Sequence, residues 1–318
     1  IRRPPRSTPS NSSAASDVYK RQMINNDSIN RILRKADLSQ CTFSSIGSGL
    51  YNDSYYINSK KGTFVLRIAP SDNIPKLFYE IDMMKSEVAI HKAVRENTDL
   101  PVPKIIYYDF SRQNIDSDYL IMEFLPGSPG AFDQKQLGRY VKQLHKIKSD
   151  VYGYPDRAAP TSKSWPDIFY TYVDLIFKDC LSCGIIDDNE HAHFISIFQK
   201  HAETVEQVPP CLLHLDLWTQ NILTVNSRIT AILDFDRGLY GDPELEFAVL
   251  DTYGYSSAKF FDGYGKPRPT DSKAQIRQRL YIVYELIKYA FIRTARGRSF
   301  ATGRSHVAQC KRILQEIE

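Results

Sequence analysis

At 318 residues with 42% hydrophobic side chains, the chain is long enough to bury a sizeable core and too apolar for a disordered polymer. Its formal net charge of +4 would suit nucleic acid or an anionic surface. However, the first 22 residues hold five of the cations and one of the carboxylates, so residues 23–318 balance at 36 against 36. No window approaches the roughly 18 uncharged apolar residues of a spanning helix, so neither nucleic acid nor membrane is expected as a partner.

Residues 1–22, rich in Ser, Pro and Arg and without an apolar stretch, read as a non-native or disordered leader rather than a signal peptide, with Met23 the expected start. Five cysteines (Cys41, Cys180, Cys183, Cys211 and Cys310) without a secretory signal imply reduced thiols and a cytoplasmic chain. Helix-like periodicity begins after Met23. Strands are predicted near Cys41, Ser54 and Phe64. Ile46 to Asn52, with Gly47, Ser48 and Gly49, reads as a hairpin turn whose glycines let backbone N–H groups approach an anion. Phe64 to Ile68 is an apolar strand with one cation, Arg67. A helix carrying Glu87 is predicted from Phe78 to Arg95, and Pro101-Val102-Pro103 prevents its continuation. Strands follow near Ile105 and Leu120, the second within the run from Tyr119 to Leu125.

Beyond Pro126 the pattern turns helical. A helix from Gln134 to Lys148 would place Leu137, Val141, Leu144 and Ile147 on one face. The Pro- and Ser-loaded stretch from Tyr152 to Pro166 is expected to loop beside the site described next. Cys180 and Cys183, with His191 and His193 nearby, have the spacing of a zinc site. The apolar stretch that ends at Gly184 instead puts both cysteines in the last turn of a core helix. Tyr253, Tyr255 and Tyr264 lie in a Gly-punctuated region, where they would stack on a substrate or pack at the surface. A final long helix, Ser272 to Arg296, aligns Leu280, Val283, Ile287, Ala290, Phe291 and Thr294 as a core stripe.

The chemistry concentrates between His214 and Asp236, HLDLWTQNILTVNSRITAILDFD. Ile222 to Val225 and Ile229 to Leu233 read as two strands joined by the turn residues Asn226 and Ser227. Such a hairpin brings Asn221, at its entry, beside Asp234, at its exit, with Asp216 in the loop leading in. Phosphoryl transfer needs magnesium held by hard oxygens and a carboxylate that orients the attacking hydroxyl. Asn221 and Asp234 suit two magnesium ions; Asp216 suits the hydroxyl. His214, Asp216, Asn221 and Asp234-Phe235-Asp236 also stand at the offsets of the kinase signature. Only five residues separate Asp236 from Asp242, which leaves no room for a peptide-docking platform.

From these residues, and from GDPELEFAVL after them, the chain resembles the aminoglycoside phosphotransferase and choline-kinase-like superfamily. The resemblance implies an α+β, two-lobed protein-kinase-like fold, with a small antiparallel-sheet N-lobe (residues 23–124) bearing one helix and a larger, mainly helical C-lobe (residues 125–318). It implies a small-molecule kinase, monomeric or homodimeric, that uses ATP or GTP with magnesium on a hydroxyl acceptor. Gly47, Ser48, Gly49, Asn52 and Ser54 would cover the nucleotide, Arg67 would grip phosphates beside Glu87, and Glu123, Phe124 and Leu125 would hold the base. His214 and Asp216 would be catalytic, Asn221 and Asp234 metal ligands, and Asp242 and Glu246 supports of the catalytic loop. Asp236 would be a metal auxiliary or a solvated turn carboxylate. Asp216, Asp236, Glu244 and Glu246 would suit a cationic acceptor. Two positions depart from the family pattern: Arg67 replaces Lys and Leu215 replaces Gly, and the first of these leaves a nucleotide-binding pseudokinase as an alternative. The carboxylate pair of Ile232 to Asp236 also fits a DxD-type phosphatase, although Gly238 stands where that class has a hydroxyl residue.

Overall fold

The computed structural model describes residues 24–48, 51–70 and 72–318; the leader, Met23, Gly49 and Leu50 lie outside the described residues. Asn25 caps the first helix, α1 (Asn26–Lys35), by accepting from Ser28 N at 2.8 Å. The strands β1 (Thr42–Ser48), β2 (Asp53–Ser59) and β3 (Gly62–Ile68) follow, then helix α2 (Met83–Asn97) and strands β4 (Ile105–Asp109) and β5 (Tyr119–Glu123). They form one antiparallel sheet in the order β1-β2-β3-β5-β4. Alternation along β3 and β5 sends Leu66, Ile68, Tyr119 and Ile121 to the face covered by Ile29, Ile32 and Leu33 of α1. The helix expected beside the sheet thus has a second companion.

After the short strand β6 (Ser128–Pro129) the chain is mainly helical: α3 (Gln134–Leu144), strands β7 (Tyr152–Gly153) and β8 (Thr161–Ser162), α4 (Trp165–Ser182) and α5 (Asp188–Lys200). Strand β9 (Cys211–Leu213) leads to the hairpin β10 (Ile222–Val225) and β11 (Arg228–Ile232), then β12 (Leu239–Gly241). Helices α6 (Pro243–Tyr253), α7 (Ala258–Tyr264), α8 (Ser272–Phe291) and α9 (Phe300–Gln315) complete the lobe. Its main core gathers Trp165, Phe169, Phe177, Phe194, Tyr281 and Ile287. Among the described residues no helix is long and apolar enough to cross a membrane. Cys180 lies buried in the last turn of α4, as the helical-core reading requires.

Three predicted helices have other limits. The span from Phe78 to Arg95 breaks: a 3-10 turn over Phe78–Glu80 gives way to extended Ile81 and to Asp82 at φ +56°, and α2 starts only at Met83. The break lets Leu77 and Tyr79 enter the core of the helical lobe. Helix α3 stops at Leu144 because Ile147 and Lys148 turn to pair with β9; Leu212 N donates to Ile147 O at 3.0 Å. The last long helix is α-helical to Phe291 and then widens into a π turn, Ile292–Arg296.

Helix α3 holds the hairpin from behind, since Gln136 accepts from Ile229 N at 3.0 Å and donates to Ile229 O at 3.3 Å. It packs on α7 so closely that a Cβ at Gly138 would stand 2.0 Å from Phe260 O. Gly138→Ala is therefore expected to destabilise by about 1–3 kcal/mol through overpacking, read from the denaturation midpoint. A gain of about 1 kcal/mol, the helix-propensity benefit of alanine, would refute the close approach.

Candidate active site

The hairpin forms as its sequence dictates. Asn226 and Ser227 adopt φ +51° and +61°, left-handed values that short polar residues tolerate and that a two-residue hairpin turn demands. Register pairs Ile222 with Ile232, and Leu233 N donates to Asn221 O at 2.9 Å. Asn221 and the residue before Asp234 are thereby joined at one end. The loop after β9 folds onto them: the Asn221 side-chain amide donates to Asp216 O at 3.0 Å and to Asp216 Oδ2 at 2.6 Å.

That loop rests on Glu246, which is fully buried in α6. One carboxylate oxygen accepts from His214 N at 2.5 Å and the other from Leu215 N at 3.0 Å. Burial pushes the Glu246 carboxyl up to about 7. Leu215 is at φ +62°, a conformation costing an L-residue about 1–2 kcal/mol, which is why glycine suits this position. Asp242, expected to share the support, acts elsewhere: it caps α6 by accepting from Glu244 N at 2.9 Å, and accepts from Tyr281 OH at 2.8 Å.

His214 is completely buried. Its Nε2 donates to Leu233 O at 3.0 Å, its Nδ1 accepts from Asp216 N at 3.2 Å, and its ring lies 4.3 Å from that of Phe235. Burial takes its pKa down to about 4, so the ring is neutral. It ties the loop to the hairpin and has no exposed surface for a substrate. Asp216 keeps some exposure, and burial raises its carboxyl while the charges of Arg237 and Lys288 pull the other way.

Arg67 of β3 enters this group from the other lobe. It pairs with Glu87 of α2, donates to Asp234 Oδ1 at 2.7 Å and stands 3.6 Å from Asp236 Oδ2. Asp236 is no solvated turn carboxylate: it is 5% exposed. Burial and the neighbouring Asp234 charge hold its carboxyl well above the ordinary range. For Asp234 burial also acts upwards, but Arg67 outweighs it and the net direction is down. Ser54 pairs with Arg67 across β2 and β3, and Gly47 with Ser54. Asn52 is buried with Tyr51, Glu80 and Met83 around one small cavity. At the end of β5, Glu123 N donates to Lys104 O at 2.9 Å and Phe124 N to Thr63 O at 3.1 Å.

Several neighbours had no signal in local spacing. Arg237 donates to Leu215 O at 2.6 Å, approaches Asp216 Oδ1 at 3.3 Å and pairs with Glu285 of α8 at 2.8 Å, and Lys288 pairs with Glu285 as well. Arg157, from the expected loop between Tyr152 and Pro166, donates to Asp236 O and Tyr79 O. Trp218, Tyr253 and Tyr255 stack in a row with ring centres 6.2 and 6.0 Å apart. Tyr264 instead packs inside, its hydroxyl 3.0 Å from His145 Nδ1.

Comparison with known proteins shows the family. A family model described as fructosamine kinase matches residues 25–310. A chloroplastic protein-ribulosamine 3-kinase of Oryza sativa subsp. indica is 27% identical over 312 residues, covering 91% of this chain and 85% of the relative. A probable ketoamine kinase of Staphylococcus aureus is 26% identical, covering 77% and 85%. The crystal structure of aminoglycoside phosphotransferase APH(4)-Ia superposes with a TM-score of 0.66 at 16% identity, covering 92% of this chain and 99% of that one, a likeness of fold.

The double acceptor role of Glu246 has a measurable consequence. Glu246→Gln turns one acceptor into an NH2 group facing a backbone N–H, and is expected to cost about 1–3 kcal/mol. A denaturation midpoint equal to that of the parent would show that the loop does not depend on this carboxylate.

Proposed function

The chain belongs to the fructosamine kinase family, and from that premise we propose that it transfers the γ-phosphoryl group of ATP or GTP to a hydroxyl of a sugar-amine acceptor. It is a small-molecule kinase of the protein-kinase-like phosphotransferase superfamily; a DxD-type phosphatase is set aside by the family match. The observation that carries the mechanism is the meeting of Asp216, Asn221 and Asp234 at one end of the hairpin, with Arg67 reaching them from the sheet. The acceptor class follows from relatives named as ribulosamine and ketoamine kinases.

Magnesium fits the donor set. Asp234 and Asp236 both lie against the Arg67 guanidinium, and the Leu233 N to Asn221 O bond brings Asn221 beside Asp234. Among the described residues no group of three or more His, Cys, Asp or Glu is arranged to hold a metal. Two carboxylates and an amide are nevertheless what magnesium commonly takes from a protein when nucleotide phosphates and water supply the rest. With magnesium bound, charge on the transferring phosphoryl group is balanced.

In this reading the Asp216 carboxylate orients the acceptor hydroxyl and receives its proton. Arg67 bridges phosphate oxygens and Glu87, and its planar guanidinium offers a bidentate fork where an ammonium offers a point charge. His214 acts by position, holding the loop on the hairpin. The backbone of Gly47 and Ser48, with that of Tyr51 and Asn52, is assigned to the phosphates. Glu123 and Phe124 spend their N–H groups within the sheet, so Leu125 is the hinge residue whose N–H is assigned to the base.

Two experiments test the assignment. Asp216→Asn should lower turnover of a ketoamine acceptor by about 10³-fold or more while nucleotide affinity stays within about twofold; retained transfer would remove Asp216 from the chemistry. The acid side of the pH profile carries the second. Arg237 stabilises the charged form of Asp216, so Arg237→Met raises that pKa further and moves the acid limb of kcat/KM to higher pH. An unmoved limb would mean that another group sets it.

A further inference from the structure

The chain between β3 and α2 is not a surface linker. Leu77 and Tyr79 lie in the core of the helical lobe, not under the sheet they follow. Phe78 packs on Tyr172 at 5.2 Å, and Tyr79 stacks on Tyr154 at 5.7 Å. Three polar side chains of the helical lobe then hold the backbone of this segment. Asp179 of α4 accepts from Phe78 N at 2.7 Å, Arg157 donates to Tyr79 O, and Arg296 Nε donates to Pro75 O at 2.9 Å.

Arg296 does more than the other two. It ends the π turn that follows α8, and it also pairs with Glu80, which in turn accepts from Leu77 N at 2.7 Å and so shapes the 3-10 turn. Its guanidinium stands 5.3 Å from the ring centre of Tyr51. The Tyr51 hydroxyl donates to Glu80 O at 3.0 Å. A π turn carries more residues per turn than an α-helix, so it resets the angular phase of whatever follows. Five residues of wider winding therefore decide where Arg296 points.

We infer that Arg296 is a positioning residue for the nucleotide site, acting from the far lobe: through Glu80 and Tyr51 it fixes the chain from Tyr51 into β2 and the start of α2. The inference rests on the reading that this stretch and the Arg67–Glu87 pair serve the nucleotide. Helix α2 begins three residues after Glu80 and carries Glu87 one turn later. Both the cover over the phosphates and the partner of Arg67 are thus tied to one guanidinium. The usual hinge after β5 joins the lobes at one side of the cleft, and this latch joins them through a second, independent strand of chain. A lysine reproduces it only in part, because a compact ammonium lacks the guanidinium plane that reaches Pro75 O and Glu80 from different nitrogens while lying near Tyr51.

The test compares the parent with Arg296→Met and Arg296→Lys, using two readouts. Hydrogen exchange should quicken by about tenfold at amides 51–57 and 76–82 in Arg296→Met, equivalent to ~1.4 kcal/mol of local stability, and stay unchanged at amides 222–232. Affinity for magnesium-ATP should fall by about tenfold while the acceptor KM moves less than about twofold, with Arg296→Lys between parent and Met in both readouts. Unchanged exchange in either variant would overturn the latch, as would an equal loss of nucleotide and acceptor binding, which marks a merely structural pin. If Arg296→Met does not fold, Arg296→Lys decides by the same two criteria. A parent that binds no nucleotide would fail the functional reading instead, and the exchange comparison would still decide whether the segment is latched.

Discussion

One buried guanidinium draws the two lobes into a common site. Arg67 belongs to β3, Glu87 to α2, and Asp234 with Asp236 to the turn that leaves β11; Arg67, Glu87 and Asp236 are buried, and Asp234 lies at the partly exposed edge of the group. Desolvating such ionisable groups costs several kcal/mol per ion unless each finds a partner, and removing one partner from a buried set typically costs about 3–5 kcal/mol. The cluster stays balanced because Arg67 serves two lobes at once and because Asp236 is held towards its neutral form. A lobe arrangement that separated β3 from the hairpin would take the cation away from Asp234 and from the buried Asp236. The lobes are therefore joined at the site itself.

Behind that cluster lies a set of neutral and aromatic supports. Glu246 fixes the backbone of His214 and Leu215, His214 ties Asp216 N to Leu233 O, and Phe235 sits between the rings of His214 and His91. Each contact fixes the direction of a functional side chain without touching a ligand. The left-handed Leu215 shows the strain this demands, and Glu246 and the packing of a fully buried leucine offset it. Such strain concentrates where a scaffold must aim a polar group.

Much of this was legible in the chain. The hairpin and its turn follow from alternation and from Asn226-Ser227, and once the hairpin is granted, Asn221 and Asp234 must be neighbours. The pairing of Arg67 with Glu87 is visible as a lone cation in an apolar strand, with a carboxylate on the helix that follows. Arg237 and Arg157 were not legible, because their partners are tens of residues away; Glu285 and Lys288 were hidden because a charged pair on a helix looks the same whether it faces water or a buried network. The break at Ile81 and Asp82 was hidden for a similar reason. Periodicity there favours a helix, and only the pull of Leu77 and Tyr79 into a different core overrides it. The burial of Asp236 depends on Arg67, whose distance in sequence conceals it.

The charge ledger around Asp216 bears on the acceptor. Four carboxylates near the site, Asp216, Asp236, Glu244 and Glu246, looked suited to a cationic molecule. Glu246 is spent on two backbone N–H groups, Glu244 on Arg268 at 3.1 Å, and Asp236 on Arg67. Asp216 stands beside Arg237, with Lys288 near enough to act on its charge. Little free negative field is left to attract a polycation, which argues against recognition by bulk charge. The row of Trp218, Tyr253 and Tyr255 offers flat apolar faces instead, starting two residues past Asp216. Under the proposed function, rings of this kind would select a sugar ring by shape and stacking, and the Asp216 carboxylate would select one hydroxyl on it. That division of labour would suit a sugar bearing one amine better than an aminoglycoside with several ammonium groups.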